Sequence, residues 1–227
     1  MPGLRAGHFR FALHSSPSSP DLFRGSTSSS RLGSEDVDGR DEPGHDDREN
    51  DGSKKSWFKR PSPDPDSPMP SITLRTALPA DRGTVVELIH QLNVFEADLV
   101  GDRRRDYAAA AEYYDELMQR LSRRNGRIVL AEADGIIIAA MGFSLDQDAA
   151  YVVDEVRNHG TVTDLIVHDD WRGRGIGQML LNEAERLTRQ AGHKRLVIGA
   201  LVANERAERT YRAFGFAPYV SILSKEL

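Results

Sequence analysis

Hydrophobic and polar positions divide the chain near residue 70. From Ser71 onward the pattern is regular. The segment "SITLRTA" (71–77) reads as a short strand, and Pro79-Ala80-Asp81 offers a helix start. Val85, Leu88, Leu92 and Phe95 then recur at helical spacing through 81–96. A charged stretch, "GDRRRD", leads to a second predicted helix over 106–123, with Tyr107, Ala111, Tyr114, Met118 and Leu121 on one face. "RIVLAEADGIIIAAMGFSL" predicts two strands joined by Asp134-Gly135, a dipeptide that accepts the positive φ of a tight hairpin. After the loop "DQDAAYVVDEVRNHG" comes a strand at 161–167, then a glycine-rich turn. A helix over 175–191 follows, its apolar stripe formed by Ile176, Leu180, Ala184, Leu187 and Ala191, with Gly192 as its stop. "RLVIGALV" (195–202) predicts a strand, "NERAERTYRAF" a short helix closed by Gly215, and "YVSILSKEL" a final strand. The order β-α-α-β-β-β-α-β-α-β describes an α/β fold. Its central sheet is mixed and mostly antiparallel, flanked by helices, and it passes from a meander to a strand–helix–strand unit.

Residues 1–68 carry no such pattern. They hold 13 serines and 8 of the chain's 11 prolines, and their charges fall in mixed clusters such as "DDRENDGSKK". Such a composition cannot offset the entropy of ordering, so a disordered extension is expected at 1–68 and a folded domain at 69–227. Arg5 and Arg10, several serines and the lack of acidic residues in the first 20 positions have the flavour of an organellar leader, but "HSSPSSP" interrupts any amphipathic helix. A competing expectation is translation from Met69, which directly precedes the patterned region.

Composition narrows the function. The 227 residues are 39% hydrophobic, with no apolar run long enough to span a bilayer. There is no cysteine, which excludes disulfides, cysteine-based metal sites and a cysteine nucleophile. Residues 1–68 hold 10 basic and 12 acidic residues, leaving 20 and 23 for the rest. A folded part so close to neutral has no general attraction for nucleic acid or an anionic membrane.

Chemistry concentrates in "RGRGIG" at 172–177, where the strand hands over to a helix. A helix N-terminus presents free amide N–H groups and the positive end of the macrodipole. Gly173, Gly175 and Gly177 remove the β-carbons that would hold an anion away, and Arg172 and Arg174 can add charge-assisted hydrogen bonds. Two familiar phosphate loops fail here. No Gly-Lys-Ser/Thr is present, and the third glycine of G-x-G-x-x-G is replaced by Gln178 or Leu180, depending on where the count starts.

The pattern that fits is [QR]-x-x-G-x-[GA], met as Arg172-Gly173-Arg174-Gly175-Ile176-Gly177. A second segment, "VANERAERTYRAFGF" (202–216), fits N-x-x-A-x-x-x-Y-x-x-x-G-F. Together with the element order, these two motifs make residues 70–227 resemble the GNAT superfamily of acyl-CoA-dependent N-acetyltransferases.

The resemblance implies that a bulge splays the strand before the glycine turn away from its neighbour and opens a slot. Backbone groups of Leu165, Ile166 and Val167 would pair with a pantetheine arm, and the amides of 173–178, including Ile176 and Gln178, would hold a diphosphate beside Arg172 and Arg174. Asn204 is expected to cap its helix and also to touch the cofactor near its thiol end. Tyr211 is expected to be the general acid for the departing thiolate, a proton that a phenol with an ordinary pKa near ~10 can supply. The positions where relatives carry a basic glutamate hold Thr163 and Gly199 here. Asp164 stands beside the first of these with a side chain that could face away from the slot. Asp154 and Glu155 read as solvated loop charges, and His168 as the solvent-facing end of its strand.

The expected activity is transfer of an acetyl group from acetyl-CoA, as cosubstrate, to a primary amine on a small molecule or peptide. Without cysteine, direct attack in a ternary complex is the expected route. A cytoplasmic location, no metal, and no nucleic-acid or membrane partner are also expected, and a homodimer is compatible with the reading. A non-catalytic acyl-CoA-binding module is the alternative, motivated by the missing glutamates. A nucleotide binder sharing only the glycine turn is a third. Carboxylates in 93–117 and 146–160 favour a cationic amine, while the arginines of "GDRRRD" oppose it.

Overall fold

The computed structural model describes residues 70–227. The expectations for 1–68, and for a start at Met69, lie outside the described residues.

Five strands form one sheet in the order β1-β2-β3-β4-β5: β1 (Ile72–Thr76), β2 (Arg127–Ala133), β3 (Ile136–Gln147), β4 (Asn158–Val167) and β5 (Leu196–Ile198). The first four pair antiparallel and β5 joins β4 in parallel. Asp134 and Gly135 close the β2–β3 hairpin with φ of 49° and 76°, as the dipeptide predicts. Helices α1 (Arg82–Val100) and α2 (Tyr107–Arg123) cover one face of the sheet, and α4 (Ile176–Gln190) and α5 (Glu205–Phe214) the other. A single-turn helix, α3 (Asp154–Arg157), lies in the loop before β4.

Local chemistry explains the boundaries. Asp106 caps α2 by accepting from the Ala109 amide at 2.9 Å. Gly192 and Gly215, with φ of 78° and 110°, end α4 and α5 in the left-handed conformation their positions predicted. The predicted stripe of α4 is buried at Ile176, Leu180, Ala184 and Leu187, whereas Ala191 is exposed at the helix end.

Two expectations need correction. The buried face of α2 is formed by Ala109, Ala110, Tyr113, Tyr114, Leu117 and Leu121. Tyr107 and Met118 are instead 47% and 38% exposed. Three tyrosines in eight residues allow two overlapping apolar stripes, and α2 buries the one that holds Tyr113 and Tyr114.

The C-terminal strand does not form. Residues 217–227 make no strand, and β5 is three residues long rather than eight. A cavity of about 330 Å³ separates Leu196–Val202 from Phe216–Val220. Arg195, just before the first segment, reaches the second: its guanidinium lies 5.1 Å from the Tyr219 ring and donates to its hydroxyl at 3.2 Å. "YVSILSKEL" also lacks the strict alternation that would let one face bury itself.

Candidate active site

The site begins with a register shift. Gly142 pairs with Asp164 and the next residue, Phe143, with Val162, so Thr163 is an extra residue on β4. The bulge reverses the alternation of side chains. Val162 packs with Leu165 and Val167 on the α4 face, while Asp164 and Ile166 turn to the face covered by α1 and α2. Gly142 makes room for this. A β-carbon there would collide with Thr163 Oγ1 and come within 3.4 Å of Asp164 Oδ2.

Where the bulge ends, the sheet divides. β5 pairs with β4 only at Gly160, Thr161 and Val162. From Thr163 to Val167, β4 bonds β3 on one side and, among the described residues, has no strand on the other. This opens a slot of about 480 Å³. One wall is Leu165, Ile166 and Val167, and the floor is the glycine turn with the first turn of α4. The opposite wall is α5, bearing Asn204 and Tyr211.

The structure therefore brings together all the residues expected at the site except Arg174. Leu165, Ile166, Val167, Arg172, Gly173, Gly175, Ile176, Gly177, Gln178, Asn204 and Tyr211 line the one cleft. Arg174 instead places its guanidinium 5.6 Å from the Trp171 ring. Leu92, Phe95, Trp171, Arg206, Ala207 and Thr210 also line it and were not anticipated there. Leu92 and Phe95 had the spacing of core residues, and nothing in a helical stripe marks where it overhangs a cleft. Of these residues of α5, only Ala207 was legible as a same-face neighbour of Tyr211, four positions before it.

Gly173 and Gly175 both have φ of 80°, a conformation that L side chains rarely adopt, so both glycines are required by the turn itself. Gly177 is different. A β-carbon there would touch only Leu165 Cδ2, at 3.7 Å, so neither packing nor backbone conformation requires a glycine at this position. The N-cap of α4 is Gly175, which has no side chain with which to cap the helix. The first amides of α4 therefore lack an intrahelical acceptor and a cap from that position, and they face the cleft. That donor set fits a diphosphate.

Arg172 braces the cleft. Its Nε donates to the Val167 carbonyl at 3.0 Å, its Nη2 pairs with Asp169 at 2.6 Å, and its guanidinium lies 5.7 Å from the Phe95 ring. One side chain thus ties β4, the turn and α1 together.

Asn204 caps α5 by accepting from the Ala207 amide at 3.1 Å. Asn204→Ala is expected to cost about 1 kcal/mol of stability, read by urea unfolding. Tyr211 is half-buried, its ring edge-on to Phe216 at 6.1 Å. Burial pushes the phenol up to about 12, with the negative charges of Asp164 and Glu96 adding to the shift. It is therefore protonated throughout the neutral range.

The other candidate bases separate clearly. Asp154 and Glu155 are exposed, as expected. His168 is half-buried rather than solvent-facing: its Nδ1 accepts from the Asp170 amide at 3.3 Å and caps a short 3-10 turn. Asp164 is buried against α2, where both carboxylate oxygens accept from the Tyr113 hydroxyl at 3.0 Å. Among the described residues there is no group of three or more His, Asp or Glu that could hold a metal, and no helix is long and apolar enough to cross a membrane.

Comparison with known proteins agrees with this architecture. The profile of the acetyltransferase (GNAT) family matches residues 92–216, and the chain belongs to that family. It is an acetyltransferase-family enzyme whose cosubstrate is acetyl-CoA. It is 28% identical over 149 residues to an IAA acetyltransferase of Azospirillum brasilense, covering 66% of this chain and 86% of that protein. A GCN5-related N-acetyltransferase from Ralstonia eutropha shares the fold at a TM-score of 0.55 and 24% identity, over 69% of this chain and 99% of that one. An aminoglycoside N-acetyltransferase in complex with CoA does so at 0.54 and 16%, over 70% and 97%.

Proposed function

We propose that the enzyme transfers the acetyl group of acetyl-CoA to a primary amine on a small molecule or peptide, by direct attack within a ternary complex. The observation that carries this reading is the slot itself: a splayed strand edge running into a helix N-terminus whose N-cap is a glycine, with a protonated phenol on the facing wall. A pantetheine arm has amides that suit the free edge of Leu165–Val167, and a diphosphate suits the amides of 173–178. Arg172 would close over the arm from the Phe95 side. Asn204 and Tyr211 would flank the thioester, and Tyr211 would return a proton to the leaving thiolate. When bound, acetyl-CoA supplies the activated acyl group, and the chain supplies orientation and protons. The lack of cysteine, the most nucleophilic of the covalent acceptors, supports direct transfer.

A cytoplasmic location belongs to this reading because a charged diphosphate cofactor does not cross membranes unaided. So does a homodimer, which the unpaired outer edge of β5 and the exposed Val220, Ile222 and Leu223 would favour.

The test is thermal unfolding of the full chain with acetyl-CoA, with NAD and ATP as controls. Ligand at about 100 times its Kd adds ~2.7 kcal/mol, a rise of roughly 5–10 °C for a domain of this size. CoA release is then followed with spermidine, kanamycin and a lysine-containing peptide. Stabilisation without release from any amine would favour the acyl-CoA-binding module, to which Thr163 and Gly199 point. No stabilisation by acetyl-CoA would remove both readings.

A further inference from the structure

Tyr211 lines two cavities. One is the slot, and the other is the cavity of about 330 Å³ between Leu196–Val202 and Phe216–Val220, which acetyl transfer leaves unused. Leu196, Ile198, Tyr211 and Phe216 pack in the same apolar cluster as Leu165 and Val167 of the slot wall, so the two cavities share one apolar layer. Leu201, Tyr219 and Val220 extend the lining. Its charged members, Glu208 and Arg212, lie on the exposed side of α5 and bond each other. Arg212 donates to Glu208 Oε1 from Nε at 2.9 Å and from Nη2 at 2.7 Å. An apolar cavity of about 150 Å³ takes a benzene ring. One of about 330 Å³ therefore has room for a group roughly twice that size, far larger than an acetyl methyl.

Charge decides which substrate such a group belongs to. The amine arrives as an ammonium, and an apolar lining without a free carboxylate gives it nothing in exchange for lost water. An acyl chain is uncharged. It hangs from the thioester carbonyl, whose carbon is bonded to the sulfur that Tyr211 would protonate. We propose that this cavity is an acyl-chain pocket, and that the enzyme takes acyl-CoA donors of about six to eight carbons as well as acetyl-CoA. The pocket presupposes the transfer reading above, which puts the thioester beside Tyr211. The reaction is that of acetyl with a longer chain. The neutral amine nitrogen bonds to the carbonyl carbon, and the C–S bond breaks with its electron pair on sulfur. The thiolate takes the proton of Tyr211, and the proton shed by the nitrogen restores the phenol. Amide and free CoA are the products. The chain itself does not react: its burial beside Tyr211 tightens binding and leaves the carbonyl in the slot.

The experiment gives the full chain acetyl-, butyryl-, hexanoyl-, octanoyl- and palmitoyl-CoA, with whichever of the three amines wild type acetylates. A fully buried methylene tightens binding by at most about fourfold, and a cavity open to solvent gives less. Octanoyl-CoA, with about six methylenes more than acetyl-CoA, should therefore show a KM at least 50-fold lower. Palmitoyl-CoA, whose chain outgrows the cavity, should gain nothing further. Ala217→Phe puts a ring into the cavity from an exposed position outside the helices and strands, where folding tolerates it. It should raise the KM for octanoyl-CoA at least tenfold and leave kcat and KM for acetyl-CoA within about twofold. If Ala217→Phe fails to fold, Ala200→Phe, which enters from the facing wall, takes its place. A wild type that transfers acetyl but gains nothing from longer donors overturns this assignment alone. So does a gain that survives both variants, which would come from exposed apolar surface such as Leu223. Should octylamine outcompete propylamine as acceptor, and Ala217→Phe cancel that advantage, the cavity belongs to the amine and the acyl assignment falls. A wild type that is stabilised by acetyl-CoA yet acetylates none of the amines overturns the transfer reading, and this assignment with it.

Discussion

Replacing Tyr211 by phenylalanine is expected to lower kcat about 1,000-fold while leaving the affinity for acetyl-CoA nearly unchanged. The two effects separate because the substitution removes one oxygen and nothing else. The ring keeps its edge-on contact with Phe216, and the Tyr211 carbonyl still accepts from the Phe216 amide at 3.0 Å, so the end of α5 is preserved. The hydroxyl is the only proton source assigned to the thiolate. Its protonation also sets the shape of the pH profile. The protonated phenol is the working form, and burial beside Asp164 and Glu96 pushes its pKa up to about 12. Activity should therefore show no loss from this group until the pH approaches 12, about two units above where an ordinary tyrosine would ionise. Steady-state kinetics of the variant, with an acetyl-CoA titration by calorimetry, checks both halves. A kcat within threefold of wild type would remove Tyr211 from the chemistry.

How much of this was readable beforehand depended on whether a feature is local. The glycine turn, the Asp134-Gly135 hairpin, the Asn204 cap and the stops at Gly192 and Gly215 are decided by backbone conformations that a few residues impose, and each lies where the sequence put it. The cleft itself was reached only by resemblance. No periodicity in "TVTDLIV" reveals that Thr163 is an extra residue, because a bulge is settled by what lies opposite, here Gly142. Misplacing the α2 stripe had a larger consequence than its size suggests. A helix face containing Tyr107 rather than Tyr113 conceals the hydroxyl that holds Asp164, and the buried carboxylate then looks unpartnered. The final strand failed for the opposite reason. Its β-branched and apolar residues satisfy a propensity, but propensity does not supply a sheet edge within hydrogen-bonding reach.

Substituting Gly177 by aspartate should move stability and cofactor affinity in opposite directions, which no purely structural role for that glycine would produce. Gly177 is the second residue of α4, and its φ is not in the positive range. A β-carbon there meets only Leu165 Cδ2, at 3.7 Å, so aspartate fits without displacing the protein. An acidic side chain in the first turn of a helix whose N-cap is a glycine is favoured by the macrodipole by ~0.3–1 kcal/mol, and glycine itself is a poor helix former. The free variant should therefore unfold at a slightly higher urea concentration than wild type. In the cofactor complex the same carboxylate would face the diphosphate. A pair of like charges about 5 Å apart at an effective dielectric of about 20 repel by ~3 kcal/mol, equivalent to more than a hundredfold in binding. The KM for acetyl-CoA should accordingly rise at least 100-fold, and the excess should shrink as salt is added because the cleft is open to solvent. Gly177→Ala, which adds the β-carbon without the charge, separates space from electrostatics: it should share the gain in stability and lose at most a few-fold in affinity. An aspartate variant that binds acetyl-CoA as tightly as wild type would mean that the diphosphate does not lie on the N-terminus of α4.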